Sequence, residues 1–544
     1  VGAAGSVAGR AAAHHRLLRC AAHVVTGALD VPPPARRGVG QGLINGTAWT
    51  VVHVAVSVPI AFLANVVVAR SLGAVDYGRL AILTMILALA TAAASLGVGS
   101  ALMQFVTKAS EAGRTHDVDR LVSGAQGYNI FVAAPLVAVV VAVVVDVPWP
   151  FLLLAIVFGI FGPAVLQAGP ILLATQHRSD RAAQIAMISN LVTQVIVVTT
   201  VLVRPTASAV WTARIVATGV LMSLPLLALT PRLRRAALRP RTPWSLPRDF
   251  WIFAIPTGAA VLVSQLVTDR VQIFFLEWLD DSVTVGLYAL AFGLAVQILA
   301  PVQAAVGPLL PAFAALRERG EEHARGGLLR VTRVAAIMAG VVLSCGLPAL
   351  GALIPWIYGV QFAASADYFV VMSCAAGIVI VGSGSYASLM ARLRGGSYLR
   401  INLVALVSMA AVALASIPWW GAWGAVASMV VGTLVRALLM VVLEMRAYEV
   451  DRSEMARAFA PVLAAIVAIH VVWFGWMAHV SAPAWISSPV GGLLSLTLFI
   501  LAVRVSRTGL TTSDREALVK AVPGRLRRPA RMCVGLVSDP RRHE

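Results

Sequence analysis

Three arginines and one aspartate, Arg214, Arg270, Arg436 and Asp269, stand inside stretches that are otherwise almost wholly apolar. A guanidinium in lipid is costly, so each must face protein or water. Its planar fork of donors suits anionic oxygens, above all those of phosphate. Asp269 and Arg270 are neighbours in sequence, and adjacent helical positions diverge by about 100°, so they reach different partners rather than each other. Arg436 has a competing use in an ion pair with Glu444, or in extending its head to the membrane surface. Arg214 has no acidic residue near it in the chain.

Neutral polar residues recur at helical spacing. Gln265, Thr268, Asp269 and Gln272 fall at i, i+3, i+4 and i+7, one stripe of a helix. Asn45, His53 and Ser57 repeat every four residues or a multiple of four, with Asn65 farther on. Gln126 and Asn129, then Gln184, Asn190 and Gln194, then Gln297 and Gln303 add to the pattern. A single amide in a helical bundle commonly bonds a neighbouring helix, whereas the stripes together predict a polar-walled cavity. His53 and Asp269 are the candidates for coupling to Na+ or H+. His470 reads as structural.

Fourteen membrane-spanning helices must position these groups. The 544 residues are 59% hydrophobic and 12% charged, with mean hydropathy +0.85, more apolar surface than a soluble globule can hide. Apolar blocks of about twenty residues cross a hydrocarbon core of about 30 Å as helices. They fall at 43–69, 80–106, 121–145, 150–175, 182–203, 207–230, 250–275, 285–314, 334–357, 368–391, 401–417, 422–443, 459–478 and 484–503. The fold class is therefore an all-α polytopic membrane protein.

The net charge of +19 would suggest nucleic acid in a soluble chain. Here it sorts by topology: 37 of the 43 Lys and Arg fall in the two tails and alternate links, three in the opposite links and three within spans. Basic links stay in the cytoplasm, so both termini are expected there and a nucleic-acid partner is not. The links on the other side are short, the longest being 70–79, and hold no catalytic domain. Residues 1–42 read as a disordered basic cytoplasmic tail, and 504–544 as a basic tail with a short helix whose capping box is Ser513 and Glu516.

The spans look duplicated. A shift of 208 residues places Gly78 on Gly286, Ala81 on Ala289, Gly99 on Gly307 and Phe105 on Phe313, and Asn190-Leu191-Val192 meets Asn402-Leu403-Val404 at a shift of 212. An even number of spans per unit makes the units parallel, related by an axis along the membrane normal. The expected domains are a six-helix lobe at 43–230, an interfacial linker at 231–249, a second six-helix lobe at 250–446, and two additional helices at 458–503. Gly73, Gly78 and Gly286 read as turn glycines. Cys20, Cys345, Cys374 and Cys533 are scattered and support neither a disulfide framework nor a zinc site. GxxxxGK, GxGxxG, HExxH and CxxC are all missing, so ATP-driven transport by this chain, a metal and a cofactor are not expected.

Several runs are similar to one family. VARSLGAVDYGRLAIL from Val68, LGVGSALMQFV from Leu96, TDRVQIFF from Thr268, VGLYALAFGLA from Val285, PLLPAFAAL from Pro308 and IYGVQFAASADYF from Ile357 resemble the polysaccharide flippases of the multidrug/oligosaccharidyl-lipid/polysaccharide exporter superfamily. The resemblance runs in order from about Leu43 to Arg504. It implies a flippase, not an enzyme, that carries an undecaprenyl-diphosphate-linked oligosaccharide from the inner to the outer leaflet of the cell membrane, for capsule, exopolysaccharide or cell-wall glycopolymer assembly. Its partners would be the polyprenyl-diphosphate-linked glycan, the lipid bilayer and polysaccharide-assembly machinery. Such a substrate needs cations for the diphosphate and polar walls for the sugar. The candidates for that cleft are Arg214, Arg436, Asp269, Arg270, Gln265, Gln272, Asn65 and Gln303. The same superfamily offers a lipid II flippase or multidrug exporter as alternatives. The former would have cationic residues in span one, which has none. A membrane glycosyltransferase or polymerase would need a large external loop, and a non-transporting scaffold would enclose no hydrated cavity.

Overall fold

The computed structural model describes residues 39–510, apart from 167, 176–177, 268–270, 305–308, 310–312, 314–315, 318–319, 393–394 and 480–481, together with residue 535. The tail helix expected from Ser513 and most of the N-terminal tail lie outside them. Among the described residues the chain is a bundle of membrane-crossing helices, and each of the fourteen expected spans coincides with helical backbone. Among the described residues eleven helices are long and apolar enough to cross by themselves, and one continuous helix, Val39–Ser95, carries span one and the first part of span two. The described residues of span seven include helices Arg248–Gln265 and Val271–Leu279, and those of span eight helix Ser282–Ala304.

The first reversal is tighter than its ten-residue link suggests. Val39–Ser95 is helical on both sides of Gly73, the one position inside it with non-helical torsions (φ 73°, ψ 178°). Gly78 and Gly286, expected in turns, lie instead within helices and face each other. A Cβ on Gly78 would strike the Ser282 carbonyl, and one on Gly286 the Ala74 carbonyl. These glycines let spans two and eight touch backbone to backbone. Farther down span two, Leu96 and Gly97 take left-handed torsions and break the helix before Val98–Glu111. Gly97 abuts Gly258 of span seven equally closely.

Spans one and two pack on span five and on span eight, and span eight in turn on span ten. Spans eleven and twelve form a close pair, in which Gly424 lies against the Ser416 backbone and Gly432 against the Met409 side chain. Spans thirteen and fourteen pack on span nine, away from spans one to six. Trp473 Nε1 donates to Asp367 Oδ1 at 2.8 Å, and Gly340, Gly351 and Gly492 admit Phe499, Trp473 and the Cys345 carbonyl to their helices.

The link at 231–249 is docked rather than free. Helix Pro231–Ala237 lies on helix Thr115–Tyr128, where Ser123 Oγ donates to the Ala236 carbonyl at 3.1 Å, the Arg241 N–H donates to the Ser123 carbonyl at 2.9 Å, and Arg232 pairs with Asp119. Trp244 stays exposed. At the opposite, arginine-poor end Trp149, Trp278, Trp356, Trp419, Trp420 and Trp485 are all exposed at helix termini. Indole rings so placed mark the level of the lipid headgroups.

Candidate functional site

Arg214 is carried by helix Ala207–Leu221, which starts on a Thr206 cap and is anchored by the fully buried Trp211. Gly219 brings that helix against the Phe158 carbonyl, and Ile215 packs on Gly159, so the arginine projects from a rigid support. Its side chain lies between two cavities. The smaller, of about 210 Å³, is lined by Asn65, Tyr77, Thr84, Gln194, Ile273 and Phe292 among others. The larger, of about 420 Å³, is walled by Ser189, Asn190, Thr193, Gln194 and Thr218. Tyr77 OH donates to Asn65 Oδ1 at 2.8 Å. Ser189 Oγ and Asn190 Oδ1 have no hydrogen-bond partner among the described residues, and Arg214 has no carboxylate within ion-pair distance among them. Chemically this is a cation with amides and hydroxyls beside it in cavities whose remaining walls are apolar, able to hold an anion and polar groups attached to it.

Arg436 lines a different cavity, of about 350 Å³, with Ser383, Tyr386, Tyr398 and Thr433. The rings of Tyr386 and Tyr398 stand 5.5 Å apart, and Ser264 Oγ lies 3.0 Å from Tyr398 OH. Phe292 borders both this cavity and the smaller one beside Arg214. Glu444 is fully buried against Arg392 Nη1 at 3.1 Å and Ser388 Oγ at 2.5 Å, and Tyr448 OH lies 3.1 Å from that same Ser388 oxygen.

The other expected positions scatter. Asp269 and Arg270 lie outside the described residues, as does the side chain of Gln303. Gln265 is exposed and Gln272 buried, so the two do not share one environment. His53 Nδ1 lies 3.2 Å from Ser57 Oγ, one turn along its own helix, and His470 Nδ1 lies 2.8 Å from the Ile466 carbonyl. Gln126 donates to the Ala164 and Val165 carbonyls beside the irregular turn at Ala155–Phe161, a structural use that a count of amides does not reveal. Tyr77, Tyr386 and Tyr398 escaped sequence reasoning, since an aromatic residue in an apolar span reads as core.

The two sets of spans meet at the arginine-poor end. Arg70 Nη2 donates to the Trp356 carbonyl at 2.6 Å, and Tyr77, Phe362, Tyr358 and Phe62 form a chain of edge-on rings with centroids 6.0 to 6.3 Å apart. A helical bundle that holds a cation between cavities at depth, with its two sets of spans in side-chain contact at one end, is a membrane-transporter architecture. The chain belongs to the family described as polysaccharide biosynthesis protein, whose model matches residues 43–317. No curated protein matches it. Among solved structures it is similar to the lipid II flippase MurJ in an inward closed conformation, with TM-score 0.62 and 11% identity over 84% of this chain and 98% of that one. It is also similar to an inward-facing multidrug resistance MATE family transporter of the MOP superfamily, with TM-score 0.57 and 15% identity over 72% and 96%. A single-residue mutant of the Vibrio cholerae MATE transporter VcmN gives 0.54 and 12% over 76% and 98%. At these identities the likeness is one of fold.

Proposed function

We propose that this chain is a flippase for an undecaprenyl-diphosphate-linked oligosaccharide, moving it from the inner to the outer leaflet by alternating access. The single observation that carries the reading is Arg214, a cation at membrane depth between two cavities lined with amides and hydroxyls. A diphosphate meets the guanidinium fork, the glycan hydroxyls meet Asn65, Ser189, Asn190 and Gln194, and the polyprenyl tail stays in the bilayer. The family match supports the polysaccharide pathway, in which assembly enzymes on each face would be the partners. Arg436 with Tyr386 and Tyr398 offers a second contact surface in the adjoining cavity. The basic links and both tails lie in the cytoplasm of the cell membrane on this reading, which leaves the tryptophan-rich end outside.

Reconstituted vesicles carrying a fluorescent undecaprenyl-diphosphate glycan in the inner leaflet test it. Arg214→Gln is expected to reduce flipping at least tenfold with unchanged insertion, and Arg214→Lys to retain part of it. Undiminished transport by Arg214→Gln removes the phosphate role. Movement of lipid II or a cationic dye in place of the glycan would transfer the chain to another transport activity.

A further inference from the structure

Tyr77 belongs at once to the cavity and to the seal. Its hydroxyl donates to Asn65 Oδ1 at 2.8 Å inside the cavity that Arg214 lines. Its ring meets Phe362, from beyond span nine, edge-on at 6.0 Å, and Phe362 continues through Tyr358 to Phe62. Gly78, the next residue, forms the closest approach between spans two and eight. The side chain is almost completely buried, and its oxygen is rigidly attached to the ring, so the oxygen cannot move toward a new partner without displacing the ring.

We infer that Tyr77 is a positioning residue that couples occupancy of the Arg214 cavity to opening of the arginine-poor end. The inference rests on the phosphate reading of that cavity. A phosphate oxygen is an ionised acceptor, and a hydrogen bond to it is stronger than one to a neutral amide. A diphosphate held by Arg214 therefore competes with Asn65 for the Tyr77 proton. When the hydroxyl oxygen is drawn toward the phosphate, the ring moves with it and leaves Phe362. The contact between the two sets of spans then weakens where the substrate must depart. No bond is made or broken apart from hydrogen bonds, and the ligand shifts the equilibrium only through its preference for the open arrangement.

The test is an inter-spin distance between labels at Val143→Cys and Trp419→Cys, both exposed near the arginine-poor end, in the full chain with its four native cysteines replaced by serine. Inorganic pyrophosphate serves as the probe. The parent protein is expected to lengthen this distance as pyrophosphate is added, and Arg214→Gln to remain short. Tyr77→Phe keeps the ring but not the hydroxyl. It is expected to move the closed-to-open ratio about fivefold toward open without any ligand, the equivalent of about 1 kcal/mol. Phe362→Leu should do the same from the other side of the contact.

A Tyr77→Phe protein that stays closed and opens at the parent's pyrophosphate concentration overturns the coupling. So does a parent protein that fails to respond to pyrophosphate. Opening of Arg214→Gln at the parent's concentration instead overturns the phosphate reading, and the ligand-free state of Tyr77→Phe still decides the link between Tyr77 and the seal.

Discussion

Among single residues, Glu444 makes the sharpest demand on its surroundings. It is completely buried and pairs with Arg392, whose guanidinium also sits 5.5 Å from the centre of the Tyr448 ring. Removing one member of such a pair strands the other, so Glu444→Ala is expected to cost about 3 kcal/mol, read as a lower melting temperature in detergent. Asp281 is a milder case at the surface. The Thr284 N–H, 2.7 Å from Oδ1, and the Thr284 hydroxyl hold its carboxyl below the usual carboxylate range. A lowered value stabilises the folded state above the unfolded carboxylate's pKa of about 3.9 and ceases to do so as pH falls through the folded value. Asp281→Ala should therefore lower the melting temperature slightly at neutral pH, with the difference closing as pH falls through the lowered carboxyl value. Arg214 was legible in the sequence because a lone charge in an apolar span always asks for an explanation. Tyr77 was not, because the partners that define it, Asn65 and Phe362, are fixed only by the reversal at Gly73 and by contact with a distant part of the chain.

At the level of elements, the crossings of span two decide how close the halves can come. Gly78 meets span eight and Gly97 meets span seven with no space for a methyl group, whereas a Cβ on Gly99 would lie an ordinary 3.7 Å from Ile171 Cδ1. Gly78→Ala should force the backbones apart and cost about 1–3 kcal/mol, while Gly99→Ala should be nearly neutral; paired melting curves distinguish them. Gly97→Ala carries the added strain of a left-handed residue. The spans themselves were legible from length and hydropathy, which are properties of each segment alone. Which glycines turn and which ones pack was not, because close approach is a property of two segments. The same limit holds for Gln265 and Gln272: their helical spacing is a property of one segment, but the exposure of the one and the burial of the other depend on the neighbours each meets.

For the whole molecule, the strongest expectation concerns sidedness. A membrane-impermeant thiol reagent added to intact cells should label Trp419→Cys or Trp485→Cys in a cysteine-free background and leave Trp244→Cys untouched until the cells are opened. Labelling in the reverse order would invert the proposed orientation. The large exposed apolar side chains, Leu63, Val139, Leu202 and Leu493 among them, are what a lipid-facing surface requires and need no protein partner.

The meeting of Gly78 with Gly286 reaches further than packing. A residue that touches its own counterpart is what two identical chains produce about a two-fold axis. Two identical chains, however, must line both sides of that axis alike. Under the same shift of 208 residues Asn65 corresponds to Ile273, Tyr77 to Val285 and Thr84 to Phe292. Asn65, Thr84, Ile273 and Phe292 all border the small cavity beside Arg214. The cavity beside Arg214 therefore meets amide and hydroxyl groups at Asn65 and Thr84 and only hydrocarbon at the shifted positions Ile273 and Phe292, an asymmetry that two identical chains could not build.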